Sequence, residues 1–416
     1  MASLLSQRRS GIATSICCVV RDIGYYHHAR FEAVAGISSS PVNVFELFKC
    51  GSVAAFNRGI TGDEHYLRHT VFPSGSLGSI SNPTIRNRLR RQLDVMSPGA
   101  ICVSGWSDPE ALAALEWCLD RRVPAILMSD SQAVDCQRGP LKESVKRRLV
   151  RLCSAALVGG TPHADYAAAL GMPRSHIFLG YDVVSNYHFA QGADAALRDP
   201  GLRSRLRLPV QFFLASARFI PKKNLLRLLA AFARYRILAT HPWNLILLGD
   251  GPLRAEVRST ISRLGLETAV SVPGFKQYDE LPSYYGLAAA FVHASSTEQW
   301  GLVVNEAMAA RLPILVSNRC GCAPDLVEEG RNGFTFDPYD TEELAHLMLQ
   351  VASMPATERA SMGRASIEII SRWTPECFAT NLMKAVELAL ATPRPKSTVV
   401  DKALLWALIH RPSAVS

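Results

Sequence analysis

The chain lacks any apolar run of about 18 residues, so no segment is expected to cross a membrane as a helix. No secretory leader stands out either: Arg8, Arg9 and Arg21 bracket only a short, weak apolar stretch. A cytoplasmic location is expected, with the inner face of the membrane as its alternative. The ten cysteines lack the spacing of a metal framework. Cys17, Cys18, Cys102 and Cys153 sit among apolar neighbours, as small core residues do. Cys320-Gly-Cys322 is the only close non-adjacent pair. It has no second pair to complete a zinc site and reads as loop thiols. No nucleic-acid module is recognisable, so no nucleic-acid partner is expected.

What is present is an alternation of strands and helices that defines an α/β chain. Strand-like runs fall at 15–20, 42–47, 100–104, 125–128, 155–158 and 177–179, and again at 212–216, 245–248, 270–272, 288–293 and 314–317. The 416 residues suit two Rossmann-like domains, and 48% hydrophobic content can fill two buried parallel sheets. The expected division is 1–190, a linker at 191–208 within a Gly-, Ala-, Asp- and Arg-rich stretch, a second domain at 209–385, and helices at 386–416.

Chemistry concentrates in the second half. Glu298 and Glu306 stand eight residues apart, with Gly301 between them letting the backbone turn into a helix from Leu302. The backbone N–H groups of Gly301, Leu302 and Val303 lie where a helix N-terminus favours phosphate. The two acids suit sugar hydroxyls beside it. Earlier, an apolar strand runs into Arg218 and Lys223, which bracket a Pro-bearing turn. Ligands of open α/β sheets bind at such strand ends, and a guanidinium with an ammonium suits a diphosphate. The plainer alternatives are a solvated helix with two stray glutamates and a basic surface turn.

Together these residues resemble glycosyltransferase family 4, the retaining nucleotide-sugar enzymes of the GT-B fold. Glu298 and Glu306 match the E-x7-E motif, and Arg218 and Lys223 match the R-x4-K pair. Gly249-Asp-Gly251-Pro252 is similar to the G-x-G-P segment, and Val272-Pro-Gly274-Phe275 to the loop that holds the base. The resemblance runs in order over roughly 210–385 and is looser before it. It implies two Rossmann-like domains facing across a donor/acceptor cleft, with the tail helices crossing back to the first domain. The nucleotide-diphosphate sugar is a co-substrate, with no other cofactor and no metal, since no Asp-x-Asp motif stands in a fitting place. Glu306 would hold the ribose and Glu298 the donor sugar. Arg218, Lys223 and the Gly301–Leu302 N–H groups would stabilise leaving-group charge. Transfer would retain anomeric configuration.

The first half departs from the family. Two adjacent glycines are usual after its first strand, but only Gly24 is present, and His27, His28 or Arg30 are the candidates to replace the missing contact. Where many members carry a histidine, Asp130 follows a strand, as an acceptor or donor-sugar contact or as an N-cap or turn residue. The +9 net charge is uneven. Arg86, Arg88, Arg90 and Arg91 crowd one expected helix; Arg138, Lys142, Lys146, Arg147, Arg148 and Arg151 load another, opposite an apolar stripe of Leu141, Val145, Leu149 and Leu152. An ordinary outer helix fits that pattern, and so does peripheral contact with an anionic membrane. The acceptor is expected to be a glycan or lipid-linked. A degenerate nucleotide-sugar-binding protein and a nucleotide-sugar epimerase of the same fold remain the alternatives.

Overall fold

In the computed structural model of the chain, residues 15–49, 64–75, 78–135 and 138–411 are described; Arg8 and Arg9 lie outside them. They fall into two compact units. One takes the residues up to Ala133, those from Arg138 to Val183, and those from Pro375 on; the other takes Val134, Asp135 and Val184–Thr374.

The apolar runs become buried parallel strands. The first unit holds β1 (Ile16–Val20), β2 (Val42–Phe48), β3 (Leu67–Phe72), β4 (Ala100–Ser104), β5 (Ala125–Ser129), β6 (Ala155–Val158) and β7 (Ile177–Leu179). Their order is β3-β2-β1-β4-β5-β6-β7, and every pairing is parallel. The second unit holds β8 (Phe212–Ser216), β9 (Asn244–Leu248), β10 (Val270–Gly274), β11 (Ala290–His293), β12 (Ile314–Ser317) and β13 (Gly333–Phe336). Their order is β10-β9-β8-β11-β12-β13, again all parallel. Strand order therefore reverses between β1 and β4 in one sheet, and between β8 and β11 in the other. A doubly wound sheet opens a ligand crevice beyond the strand ends at such points.

Three expectations are corrected. The sequence reading omitted β3 and β13, which add an edge strand to each sheet. The stretch 191–208 is no extended linker: it continues the helix Asn186–Arg198 and includes the short helix Leu202–Arg205, all within the second unit. Gly192 is a packing residue, since a Cβ there would come within 2.4 Å of Pro282. The C-terminal return begins at the helix Pro375–Ala391, which packs on Tyr25–Ile37 through the Phe31 and Phe378 rings, 6.5 Å apart.

The basic helices are only partly free. On Asn82–Met96, Arg86 and Arg90 both bind Glu116 of the helix Pro109–Arg121, Arg90 also binds Asp120, and Arg88 lies over the Phe72 ring. On Pro140–Arg151, Leu149 is buried, as is Leu152 just beyond, and Val145 packs on the core partly buried, but Leu141 stands exposed, so the expected apolar stripe is covered except at its start. No helix among the described residues is long and apolar enough to cross a membrane.

Candidate functional site

The site is built where the second sheet reverses its strand order. Beyond β8, residues 217–219 are stitched to the turn after β9: Ala217 N donates to Leu248 O (3.0 Å) and Phe219 N to Asp250 O (2.8 Å). Glycine is required on the other side. A Cβ on Gly249 would meet Ala217 O at 1.8 Å, and one on Gly251 would meet Phe219 O at 2.7 Å, with φ of +126° and +155°. Gly249 N donates to Gly274 O (3.0 Å), which brings the end of β10 and the half-buried Phe275 alongside. Arg218 projects from this stitched loop into solvent and has no ion-pair partner among the described residues.

The turn Pro221–Lys223 follows, closed by Asn224 in the left-handed region at φ +57°. Buried Asn224 donates to Ala294 O (3.0 Å) and Pro338 O (2.7 Å), anchoring this turn to the segment after β11. Ser296 N completes the join by donating to Lys222 O (2.8 Å).

Glu298 is the hub. Lys222 Nζ donates to its Oε1 (3.0 Å) and to Gln299 Oε1 (3.0 Å), and Lys223 pairs with Oε2. Ser295 Oγ donates to Oε2 (3.3 Å), and His293 Nε2 stands 3.6 Å from it. Burial alone would raise the Glu298 pKa. The close approach of His293 and the charges of Lys223 and Lys222 outweigh burial and hold the carboxyl well below the usual range. Burial also pushes His293 down, against the pull of Glu298. Gly301, at φ +111°, caps the helix Leu302–Ala309; a Cβ there would lie 3.6 Å from His293 Nε2 and 3.7 Å from Glu298 Cγ. The helix N-terminus, with partly exposed Leu302 and Val303, thus opens beside the Lys–Glu–Lys cluster.

Glu306 lies one turn further along this helix and is fully buried, accepting from Tyr285 Oη at 2.7 Å. Of the sequence-derived residues, Glu298, Lys223 and Gly301 therefore meet directly. Arg218, Gly249, Gly274 and Phe275 form the adjoining loops. Lys222, His293, Ser295 and Asn224 had no assigned role, although the Lys222-Lys223 doublet and a histidine ending an apolar strand were visible signals. Cys320 and Cys322 lie in the loop after β12, as expected, and are buried there, with Cys322 Sγ 3.5 Å from a Cβ built on Gly301. Among the described residues no cluster of three His, Cys, Asp or Glu side chains is placed to hold a metal ion.

In the first unit, Gly24 caps the helix Tyr25–Ile37 and His28 Nδ1 contacts Tyr66 Oη at 3.2 Å. Arg30 is corrected as a candidate for the missing glycine contact. It is buried, donates to Val183 O (3.1 and 3.2 Å), and lies over the Tyr181 ring. His27 stacks on Phe31 and is pushed down to about 3 by burial and then by Arg30, so it stays uncharged. Asp130 follows β5 between Ser129 and Ser131, whose N donates to Ser129 Oγ at 3.2 Å. Beyond β1 and β4, Arg21 binds Asp108 and Glu110, the latter at 3.3 Å.

Two Rossmann-like units in one chain, each with its own strand-order reversal, define the GT-B class. Residues 203–368 match the family described as glycosyl transferases group 1. The chain is 31% identical over 110 residues to the alpha-D-kanosaminyltransferase of Streptomyces kanamyceticus, covering 26% of this chain and 28% of that one. It is 33% identical over 141 residues to the alpha-monoglucosyldiacylglycerol synthase of Acholeplasma laidlawii, covering 33% of this chain and 34% of that one. It thus spans about a third or less of these relatives' length. Among solved structures, HepE of Anabaena in complex with UDP and glucose superposes with a TM-score of 0.67 at 19% identity, over 90% of this chain and 99% of that one. Sucrose-phosphate synthase of Thermosynechococcus elongatus gives 0.68 at 17% identity, over 91% and 99%.

Proposed function

We propose that this chain is a retaining, metal-independent glycosyltransferase that moves a hexosyl group from a nucleotide-diphosphate sugar to a glycan or lipid-linked acceptor, in polysaccharide or glycolipid synthesis. The observation that carries the reading is the cluster of Lys222, Lys223 and ionised Glu298 beside the Gly301 helix N-terminus, at the β8/β11 reversal. Breaking the anomeric bond loads negative charge onto the leaving diphosphate. Lys223, the exposed Arg218 and the helix N–H groups supply preorganised positive potential for it, which is the part a divalent metal otherwise plays. Glu298, acceptor-only when ionised, orients donor-sugar hydroxyls, with His293 and Ser295 fixing its oxygens. Glu306 serves the ribose. Gly274 and Phe275 border the base, Gly24 and His28 serve the donor phosphates, and Asp130 meets the acceptor or the donor sugar. A UDP-sugar is the first donor to try, because HepE was solved with UDP and glucose.

The test is calorimetric titration with UDP, GDP and ADP, then a panel of matching nucleotide sugars with chelator present and the product anomer read by NMR. One tightly bound nucleotide and an anomer-retaining product support the reading. Binding without transfer to any acceptor would make the chain a nucleotide-sugar-binding protein, and sugar inversion without acceptor would make it an epimerase.

A further inference from the structure

The helix Val399–Ile409 is apolar on two opposite sides, and only one of them is packed. Its inner side, Leu405 and Ile409, is fully buried in the core of the first unit. Its ends are tied down. Thr398 and Asp401 form a reciprocal cap, Arg148 Nη1 reaches Asp401 Oδ1 at 3.0 Å, and Arg411 donates to Ser107 O at 2.6 Å. The helix is therefore fixed, not a loose tail. Yet its outer side presents Val399 at 85% exposure and Trp406 at 58%, with Ala403 exposed between them. These positions recur at helical spacing and form one stripe. The Arg148–Asp401 pair joins this helix to Pro140–Arg151, where Leu141, seven residues before Arg148 and so on the same face, is 78% exposed.

Exposed cations stand on both helices. Lys402, Lys142, Arg147 and Arg151 are all exposed, and none of the last three has an ion-pair partner among the described residues. A second copy seated on this stripe in a two-fold pair would bring like charges against like. An anionic lipid leaflet instead takes the apolar side chains into its interfacial zone, with the indole at headgroup level and the cations on the lipid charges. We propose that the outer faces of Val399–Ile409 and Pro140–Arg151 form a membrane-docking surface for anionic lipid, centred on Trp406. The proposal extends the reading of a lipid-linked acceptor but stands on this surface alone.

The experiment uses the full chain and sedimentation with vesicles of phosphatidylcholine alone or with phosphatidylglycerol, at low and high salt. Binding is expected only with phosphatidylglycerol and is weakened by salt. Replacing Trp406→Ser together with Val399→Ser should weaken it about tenfold. Lys142→Glu with Arg147→Glu should do the same through charge, which keeps the test open if the first pair misfolds. Nucleotide binding should be unchanged in both variants, so failure here is separable from failure of the transferase reading. No vesicle binding, equal binding to neutral vesicles, or a self-association abolished by Trp406→Ser would each overturn the proposal.

Discussion

Lys222 donates to Glu298 Oε1 at 3.0 Å while Lys223 holds Oε2 of the same carboxylate, so one buried acid carries two ammonium groups. Its pKa is depressed in the folded chain, against an unfolded value of about 4.3. A depressed carboxyl stabilises the fold above the unfolded value, and that contribution is lost as pH falls through the folded one. Glu298→Gln should therefore cost about 3 kcal/mol near neutral pH, by leaving two cations without their anion. The gap to the native chain should shrink as pH falls from about 4.5 toward 3. Denaturant midpoints across that range measure it. A gap independent of pH would mean that Glu298 is not ionised in the fold.

Arg218 offers a cleaner functional test because nothing structural rests on its side chain. It is exposed at a strand end and has no ion-pair partner among the described residues. Arg218→Ala should leave stability within about 0.5 kcal/mol. If the guanidinium meets charge that grows as the donor bond breaks, turnover should fall about a hundredfold and donor affinity much less. Steady-state rates with calorimetry separate the two, and equal losses would mark Arg218 as a uniform binder.

What the sequence made legible follows from how local each signal was. Buried central strands such as Ile16–Val20 are unbroken apolar runs, and motif residues at fixed spacing, Glu298 with Gly301, stay together because one turn joins them. The edge strand Leu67–Phe72 was hidden because its polar residues face a buried acid: Arg68 binds Glu46 through two nitrogens (2.9 and 2.8 Å), and Thr70 donates at 2.7 Å. That acid sits in the neighbouring strand, so the pairing appears only after folding. Lys222 escaped for the same reason, since its turn meets Glu298 across 76 residues of chain. The end of the helix Asn186–Arg198 reads as linker in the sequence because its glycine and alanines, which pack closely against Leu281–Leu287, have a linker's composition.

Two glycines in the same unit should respond very differently to alanine. Both have positive φ, +126° at Gly249 and +86° at Gly274, but a Cβ meets Ala217 O at 1.8 Å in the first and open space in the second. Gly274→Ala should cost about 1–2 kcal/mol, the penalty of the left-handed region. Gly249→Ala must also push the Arg218 loop away and should cost about 3 kcal/mol or more. Thermal melts rank the pair, and similar costs would show that the 217–219 loop yields easily.

Glu306 is where a binding role and a structural one must be pulled apart. It is fully buried and accepts from Tyr285 Oη at 2.7 Å. Tyr285→Phe removes that donor and should cost about 1 kcal/mol of stability. If Glu306 also serves the ribose, Glu306→Gln should weaken nucleotide binding about tenfold, the worth of one charge-assisted hydrogen bond. Calorimetry with the nucleotide and its 2′,3′-dideoxy analogue is the measurement. Native and variant proteins should bind the analogue alike, and a persisting difference would assign Glu306 to the core alone.

The first unit carries a titration of opposite sign. Glu110 is buried beside Asp108, and burial, then Asp108, push its carboxyl up to about 7, against the pull of Arg21. Its Oε2 has no hydrogen-bond partner among the described residues. A raised pKa means the folded chain holds a proton that the unfolded chain has already released above about pH 4.5. The stability this group contributes is complete below that value and drains away as pH rises through 7. Glu110→Gln keeps the shape and cannot ionise. It should match the native chain near pH 4 and exceed it by about 2 kcal/mol at pH 8, less whatever Arg21 loses with its second anion. Melting curves at the two pH values decide the matter: a variant less stable at both would mean that the Arg21–Glu110 ion pair outweighs the burial of the acid.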